Sequence, residues 1–206
     1  IFGGTKDEFG FVAQHISEAK PPIIEVNLSC PNTADDLGLP FALYAEDSRK
    51  VIELVKDSTK IPVIAKLAPN VPNIKEIAKA VVEAGADAIS AVNTMPGMVI
   101  DINTAKPVLH NKEGGISGPP IKPIAVKCVY DIYESVDVPI IGIGGVTYGK
   151  DAIELLMAGA SAVQIGTAIY YRGIEVFKKV SQEIEEFLSE HGYNNLDDVV
   201  GIAHGS

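Results

Sequence analysis

The run Glu25-Val-Asn-Leu-Ser-Cys-Pro-Asn32 gathers two carboxamides, a hydroxyl and a thiol directly after an apolar stretch. Pro31 cannot continue a central strand, so these groups collect where a strand ends. In α/β folds that carboxyl end is where ligands bind. Carboxamides both donate and accept hydrogen bonds, and a thiol becomes a base or nucleophile once its proton is lost. A cysteine is equally at home as a small buried hydrophobe. Lys66 lies inside the apolar run Val63-Ile-Ala-Lys-Leu67. There an ammonium needs an anionic or polar partner, unless it snorkels from an edge strand. Further along, Gly144-Gly145-Val-Thr147 and Gly166-Thr167 follow two apolar runs. Glycine turns at successive strand ends can bring backbone amides up to a phosphate, or can be simple tight turns.

These residues need a frame, and the sequence supplies one by alternation. Apolar runs over residues 23–28, 62–67, 86–92, 139–143 and 162–165 predict parallel strands buried on both faces. Helical periodicity predicts helices over about 7–19, 44–56, 74–83, 121–135, 150–157 and 174–190. An internal echo sharpens the pattern. Ile61-Pro-Val-Ile-Ala65 returns 77 residues later as Val138-Pro-Ile-Ile-Gly142, and Ala84-Gly-Ala-Asp-Ala-Ile89 returns 74 residues later as Ala158-Gly-Ala-Ser-Ala-Val163. The glycine in each second pair suits a helix end that turns straight into a strand at positive φ.

A repeated, turning βαβ unit points to a closed (β/α)8 barrel of the TIM type. The opening Ile1-Phe-Gly-Gly4 reads as the tail of a strand. The expectation is thus an α/β chain covering about the last five βα units of a single barrel domain, residues 1–206. A complete open five-stranded sheet is the alternative.

Composition narrows the class. The 206 residues carry a net charge of −10, which repels nucleic acid and anionic lipid alike. No apolar run reaches the ~18 residues of a membrane span, and no signal pattern opens the chain, so a cytoplasmic protein without a membrane partner is expected. Cys30 and Cys128 stand 98 positions apart, which fits no metal-binding spacing, so no metal is expected. Cys128 aligns with Ile121, Ile124, Ala125 and Ile132 at helical spacing and reads as core. The four histidines, His15, His110, His191 and His204, form no recognisable catalytic set. Lys122, in a helix first turn, reads as solvated.

In order along nearly the whole chain, Asn27-Leu-Ser-Cys-Pro-Asn32, Lys66 in Ala65-Lys-Leu67, Asn93-Thr94, Gly114-Gly-Ile-Ser-Gly118 before Ile121-Lys-Pro123, Gly144-Gly145 and Ile165-Gly-Thr167 resemble the motifs of the class 1 dihydroorotate dehydrogenases. The Gly115-Ile-Ser-Gly-Pro119 and Met157-Ala-Gly-Ala-Ser-Ala-Val163 pieces are most similar to the NAD-linked subclass that works with a separate electron-transfer subunit.

The resemblance implies oxidation of dihydroorotate to orotate in pyrimidine biosynthesis, with FMN as cofactor. It implies Cys30 as the catalytic base, a role for which an ordinary thiol pKa of about 8.5 needs only a modest downward shift. Asn27, Asn32, Asn93 and Thr94 would bind substrate. Asn27, Lys66, Val92, Gly118, Gly144, Gly145, Gly166 and Thr167 would hold FMN, with Lys66 at the flavin pyrimidine edge. A homodimer is implied, together with a partner subunit carrying FAD and an iron–sulfur cluster. Two cysteines cannot supply the four usual cluster ligands, so any NAD-linked route runs through another polypeptide. Further flavin contacts, another substrate asparagine and a lysine are expected from an amino-terminal portion of the family that has no counterpart in this sequence. Two other readings stay open: another FMN-dependent dihydropyrimidine oxidoreductase with a similar Asn-Leu-Ser-Cys-Pro loop, and a non-catalytic barrel that binds a phosphate ligand.

Overall fold

A computed structural model describes residues 1–28 and 41–205. Cys30 and Asn32 fall outside the described residues. In chain order, α1 (Lys6–Ser17) leads to β1 (Ile24–Asn27), α2 (Ala45–Ser58), β2 (Val63–Leu67), α3 (Ile74–Glu83) and β3 (Ala88–Ala91). Four short strands follow: β4 (Met95–Gly97), β5 (Ile100–Asp101), β6 (Lys106–Pro107) and β7 (Gly114–Ile116). The chain continues through α4 (Lys122–Tyr133), β8 (Ile140–Ile143), α5 (Gly149–Met157), β9 (Ala162–Gln164), α6 (Ala168–Arg172) and α7 (Val176–His191).

Five strands form one parallel sheet in the order β1-β2-β3-β8-β9, so each new strand joins the same advancing edge. An open doubly wound sheet reverses its strand order at a switch point, and this one does not. The helices α1, α2, α3, α4, α5 and α7 each pack on the next, as a single outer row. Glu25 of β1 and Gln164 of β9 meet at 2.9 Å although three strands lie between them. At about 4.8 Å per strand a flat sheet would hold those backbones roughly 19 Å apart. The sheet therefore curls its inner face into a lumen, the geometry of an α/β barrel wall.

Burial follows from that curl. On the helix side Val26, Val63, Ala65, Leu67, Ile89, Ala91 and Ile140 are essentially inaccessible, and with the apolar stripes of the helices they form the core. Helix α3 shows the logic: Ile74, Ile77, Ala78 and Val81 recur on one face, while the Asn73 side chain accepts from the Lys75 N–H at its start. The expectation of strands buried on both faces holds for β3, where all four positions are buried, and for β2 except at Lys66. Strands β1 and β8 alternate buried and half-buried positions, because their other residues line the lumen.

The repeat also takes the predicted form, since Gly85 (φ 98°) and Gly159 (φ 116°) end α3 and α5 in equivalent turns. Ile1 lies along β1, its amino group donating to the Glu25 carbonyl and its own carbonyl accepting from the Asn27 N–H.

Two features depart from the sequence reading. Residues 95–116 fold into two small antiparallel pairs, β4 with β7 and β5 with β6. Their strands of two or three residues are too short to show any alternation. The helix predicted over about 174–190 forms as α7, but a short helix that the periodicity did not announce, α6, precedes it and ends at Gly173 (φ 70°).

Candidate active site

The carboxyl ends of β2, β3, β8 and β9 open on one cleft. Ladder hydrogen bonds run past the ends of the strands, Val92 N–H to the Ile143 carbonyl and Asn93 N–H to the Leu67 carbonyl, each 2.9 Å. Asn93 is therefore held by its backbone. Its Nδ2 donates to Asn27 Oδ1 at 3.3 Å, and its Oδ1 accepts from the Thr94 N–H at 2.8 Å. Two of the three expected asparagines meet, tying the end of β1 to the turn after β3. Thr94 lines the cleft beside them, backed by the β4/β7 pair: any side chain at Gly115 would overlap that of Thr94.

Lys66 reaches the cleft from β2, and Val92 from the turn after β3. On the far wall stand Gly118, Gly144 and Gly145, then Gly166 and Thr167. Gly145 is a position only glycine can hold. Its φ is 78°, and an added Cβ would sit 2.5 Å from Lys122 Cβ and 3.1 Å from the Gly118 carbonyl. At Gly166 an added Cβ would meet no protein atom within 4 Å, so it would project into open space. Every expected site residue within the described chain lies in this cleft or, in the case of Asn27, bonds to one that does. Cys30 and Asn32 lie outside the described residues.

The structure adds residues that the sequence reading passed over. Lys66 Nζ donates to Glu25 Oε1 at 3.2 Å, and Gln164 Nε2 donates to Glu25 Oε2 at 2.9 Å. Burial pushes the Glu25 carboxyl up, but the Gln164 hydrogen bond and the Lys66 charge outweigh it and hold the group below its ordinary value. Lys66 thus has the anionic partner that its apolar strand demanded. Glu25 and Gln164 could have been suspected on the same ground, as polar groups within short apolar strands. Ser117 Oγ and Thr167 Oγ1 lie 2.8 Å apart and join the turn before α4 to the turn after β9. Nothing in their spacing of fifty residues announces that contact.

The glycine turn after β8 is braced from behind. Asp151 Oδ2 accepts from the Thr147 and Tyr148 N–H groups at 3.0 and 2.9 Å, while Oδ1 faces Lys122 Nζ at 3.0 Å. Burial raises the Asp151 carboxyl, yet the Tyr148 N–H and Lys122 overcome it and the net shift is downward. Lys122, expected to be solvated, is instead paired with both Asp151 and Glu154. The hydrogen bond to Glu154 leads in raising its pKa, over a desolvation that opposes it. Arg172 donates to the Thr147 carbonyl at 2.8 Å, pairs with Glu183 and stacks 4.5 Å over the Tyr148 ring. Helices α6 and α7 are thereby clamped to the same turn. Cys128 is buried in α4, and burial pushes its thiol up to about 11, so it is inert. Among the described residues no group of three or more His, Cys, Asp or Glu side chains could hold a metal.

Comparison with known proteins places this geometry. The sequence model described as dihydroorotate dehydrogenase matches residues 1–188. The chain belongs to the dihydroorotate dehydrogenase family. It is 52% identical over 204 residues to the dihydroorotate dehydrogenase B (NAD(+)) catalytic subunit of Methanocaldococcus jannaschii, covering 99% of this chain and 66% of that one. Against the protein of the same name from Pyrococcus abyssi it is 48% identical over 203 residues, covering 98% of this chain and 67% of the relative. A crystal structure of DHODH in complex with ferulenol from Eimeria tenella superposes with a TM-score of 0.82 at 26% identity, over 98% of this chain and 58% of that one. The chain thus spans about two thirds of the length of its curated relatives. With family and fold in agreement, the curled sheet is part of the family's α/β barrel wall, and the cleft lies at its carboxyl-terminal rim.

Proposed function

We propose that this chain oxidises dihydroorotate to orotate in pyrimidine biosynthesis, using FMN seated in the cleft at the carboxyl ends of β2, β3, β8 and β9. The observation that carries the reading is the meeting of Asn27, Asn93, Lys66 and the two glycine turns around one cleft, in a chain whose family match spans 188 residues. The residues present fit the cofactor. A turn at Gly145 with no room for Cβ, open space at Gly166 and the one cation among the described cleft-lining residues, Lys66, suit a phosphate tail at one end and, at the other, a ring that gains negative charge on reduction.

In this reading Gly144, Gly145, Gly166 and Thr167 cradle the phosphate, Gly118 and Val92 border the ring system, and Lys66 and Asn27 touch its pyrimidine edge. The chemistry FMN supplies when bound is acceptance of a hydride from the substrate ring. Asn27, Asn32, Asn93 and Thr94 orient that ring through its alternating amide and carbonyl groups. Cys30, as thiolate, takes the proton released from the adjacent ring carbon. The relatives are named catalytic subunits, and this supports a separate partner subunit. We assign that partner the FAD and iron–sulfur electron route to NAD, and the chain itself a homodimeric, cytoplasmic state. No described helix is long and apolar enough to cross a membrane.

The test is anaerobic stopped-flow reduction of the bound flavin by dihydroorotate. Cys30→Ser is expected to keep FMN bound and to slow reduction by ~10²–10⁴-fold at neutral pH, the usual contribution of a positioned base. Reduction of Cys30→Ser at the wild-type rate removes the base assignment. A flavin-loaded protein that dihydroorotate cannot reduce removes the substrate assignment.

A further inference from the structure

Glu25 stands behind Lys66, away from the cleft. Lys66 and Gln164 both line the cleft and both bond to the Glu25 carboxylate, which itself does not line it. The three residues come from β1, β2 and β9, so the carboxylate is gripped from two sides across the lumen. A third group lies close by: the Ser90 hydroxyl of β3 is fully buried, falls short of a full hydrogen bond, and still lends its dipole to the carboxylate. A lone ion pair on a protein surface has little effect, since water screens it and both side chains wander. Here the acid is held by Lys66 and Gln164, and those two side chains, not the carboxylate, line the cleft. Its charge acts on the cleft in opposition to the ammonium and also sets where that ammonium sits.

We propose that Glu25 is a positioning residue for the flavin site: it aims the Lys66 ammonium into the cleft and offsets part of its positive field, and so sets the reduction potential of the flavin bound there. The inference rests on the flavin reading above. Reduction adds negative charge to the ring system, and an uncompensated ammonium nearby favours the reduced form. Glu25→Gln keeps the shape and an acceptor for Lys66 while deleting the opposing charge. It is expected to raise the midpoint potential by at least a tenfold change in the reduction equilibrium, which is about 30 mV for a two-electron couple.

The experiment is dye-equilibrated potentiometry on the flavin-loaded full chain, with FMN dissociation constants and thermal midpoints measured alongside. Wild type, Glu25→Gln, Lys66→Met and the double variant form a cycle. The expected pattern is a raised potential in Glu25→Gln, a lowered one in Lys66→Met, and a smaller shift from Glu25→Gln once Lys66 is gone, because only the direct field of the carboxylate then remains. Glu25→Asp, which retains the charge but withdraws it by one methylene, should show a smaller rise and serves if the glutamine variant does not fold. An unchanged potential in the Glu25 variants, with Lys66→Met shifted, makes Glu25 merely structural and overturns the proposal alone. An unchanged potential in Lys66→Met, or a wild-type chain that takes up no FMN, overturns the flavin-edge reading and this inference with it.

Discussion

At the residue scale the site depends on what a few positions lack as much as on what they carry. Gly145 combines a φ of 78° with a would-be Cβ pressed between Lys122 and the Gly118 carbonyl. Gly145→Ala should therefore shift the turn, destabilise the fold by ~1–3 kcal/mol and weaken FMN retention, because backbone strain and overlap act together. Thermal melting and flavin release on dilution measure the two effects, and a fully retained flavin in the alanine variant speaks against a phosphate cradle here. Of the candidate site, Asn27, Lys66, Asn93, Thr94 and the glycines were legible because their types break the apolar pattern of strand ends. Gln164 and Glu25 break the pattern in the same way, but their pairing was not legible, because each partner lies on another strand.

At the scale of elements, the turn after β8 is held by the helix that follows it. Asp151, near the start of α5, accepts two backbone N–H groups of that turn, so Asp151→Ala leaves them without their acceptor and should cost ~1–3 kcal/mol. The pH dependence has a definite sign. The folded-state pKa is depressed below 3.8, so the stabilisation is complete above that value and is lost as pH falls through the lower folded value. Denaturant unfolding at pH 6 and again near pH 3 should show the gap between wild type and Asp151→Ala closing on acidification. A gap independent of pH counts against the carboxylate's role. Arg172 acts between elements in the same way, joining α6 and α7 to the Thr147 carbonyl, a contact no local pattern foretold.

At the scale of the whole molecule, the core lies between the curled sheet and its row of helices, and the lumen is left for polar chemistry. Ile89 is wholly inaccessible at the centre of β3, and Ile89→Ala should cost ~2–5 kcal/mol. Ile102, in the turn between β5 and β6, is 90% exposed, and Ile102→Ala should stay within about 0.5 kcal/mol of wild type. Chemical denaturation of the pair distinguishes the two environments. Equal losses contradict a core confined to the helix side. The cross-lumen contact between Glu25 and Gln164 decides curvature where the sequence left an open sheet as an alternative.

The alternation of β and α elements, the repeat with its two turning glycines, the polar strand-end loop and the family motifs were all present in the one-dimensional pattern. Each is set by neighbours along the chain: periodicity, a proline or a glycine at a fixed offset. Tertiary structure alone decided that the sheet curls, that Lys66 answers to Glu25, that Ser117 meets Thr167, and that Arg172 and Asp151 brace the glycine turn. Those are meetings of residues up to 139 positions apart. They depend on how strands stagger and how a lumen narrows, and local sequence carries no record of either.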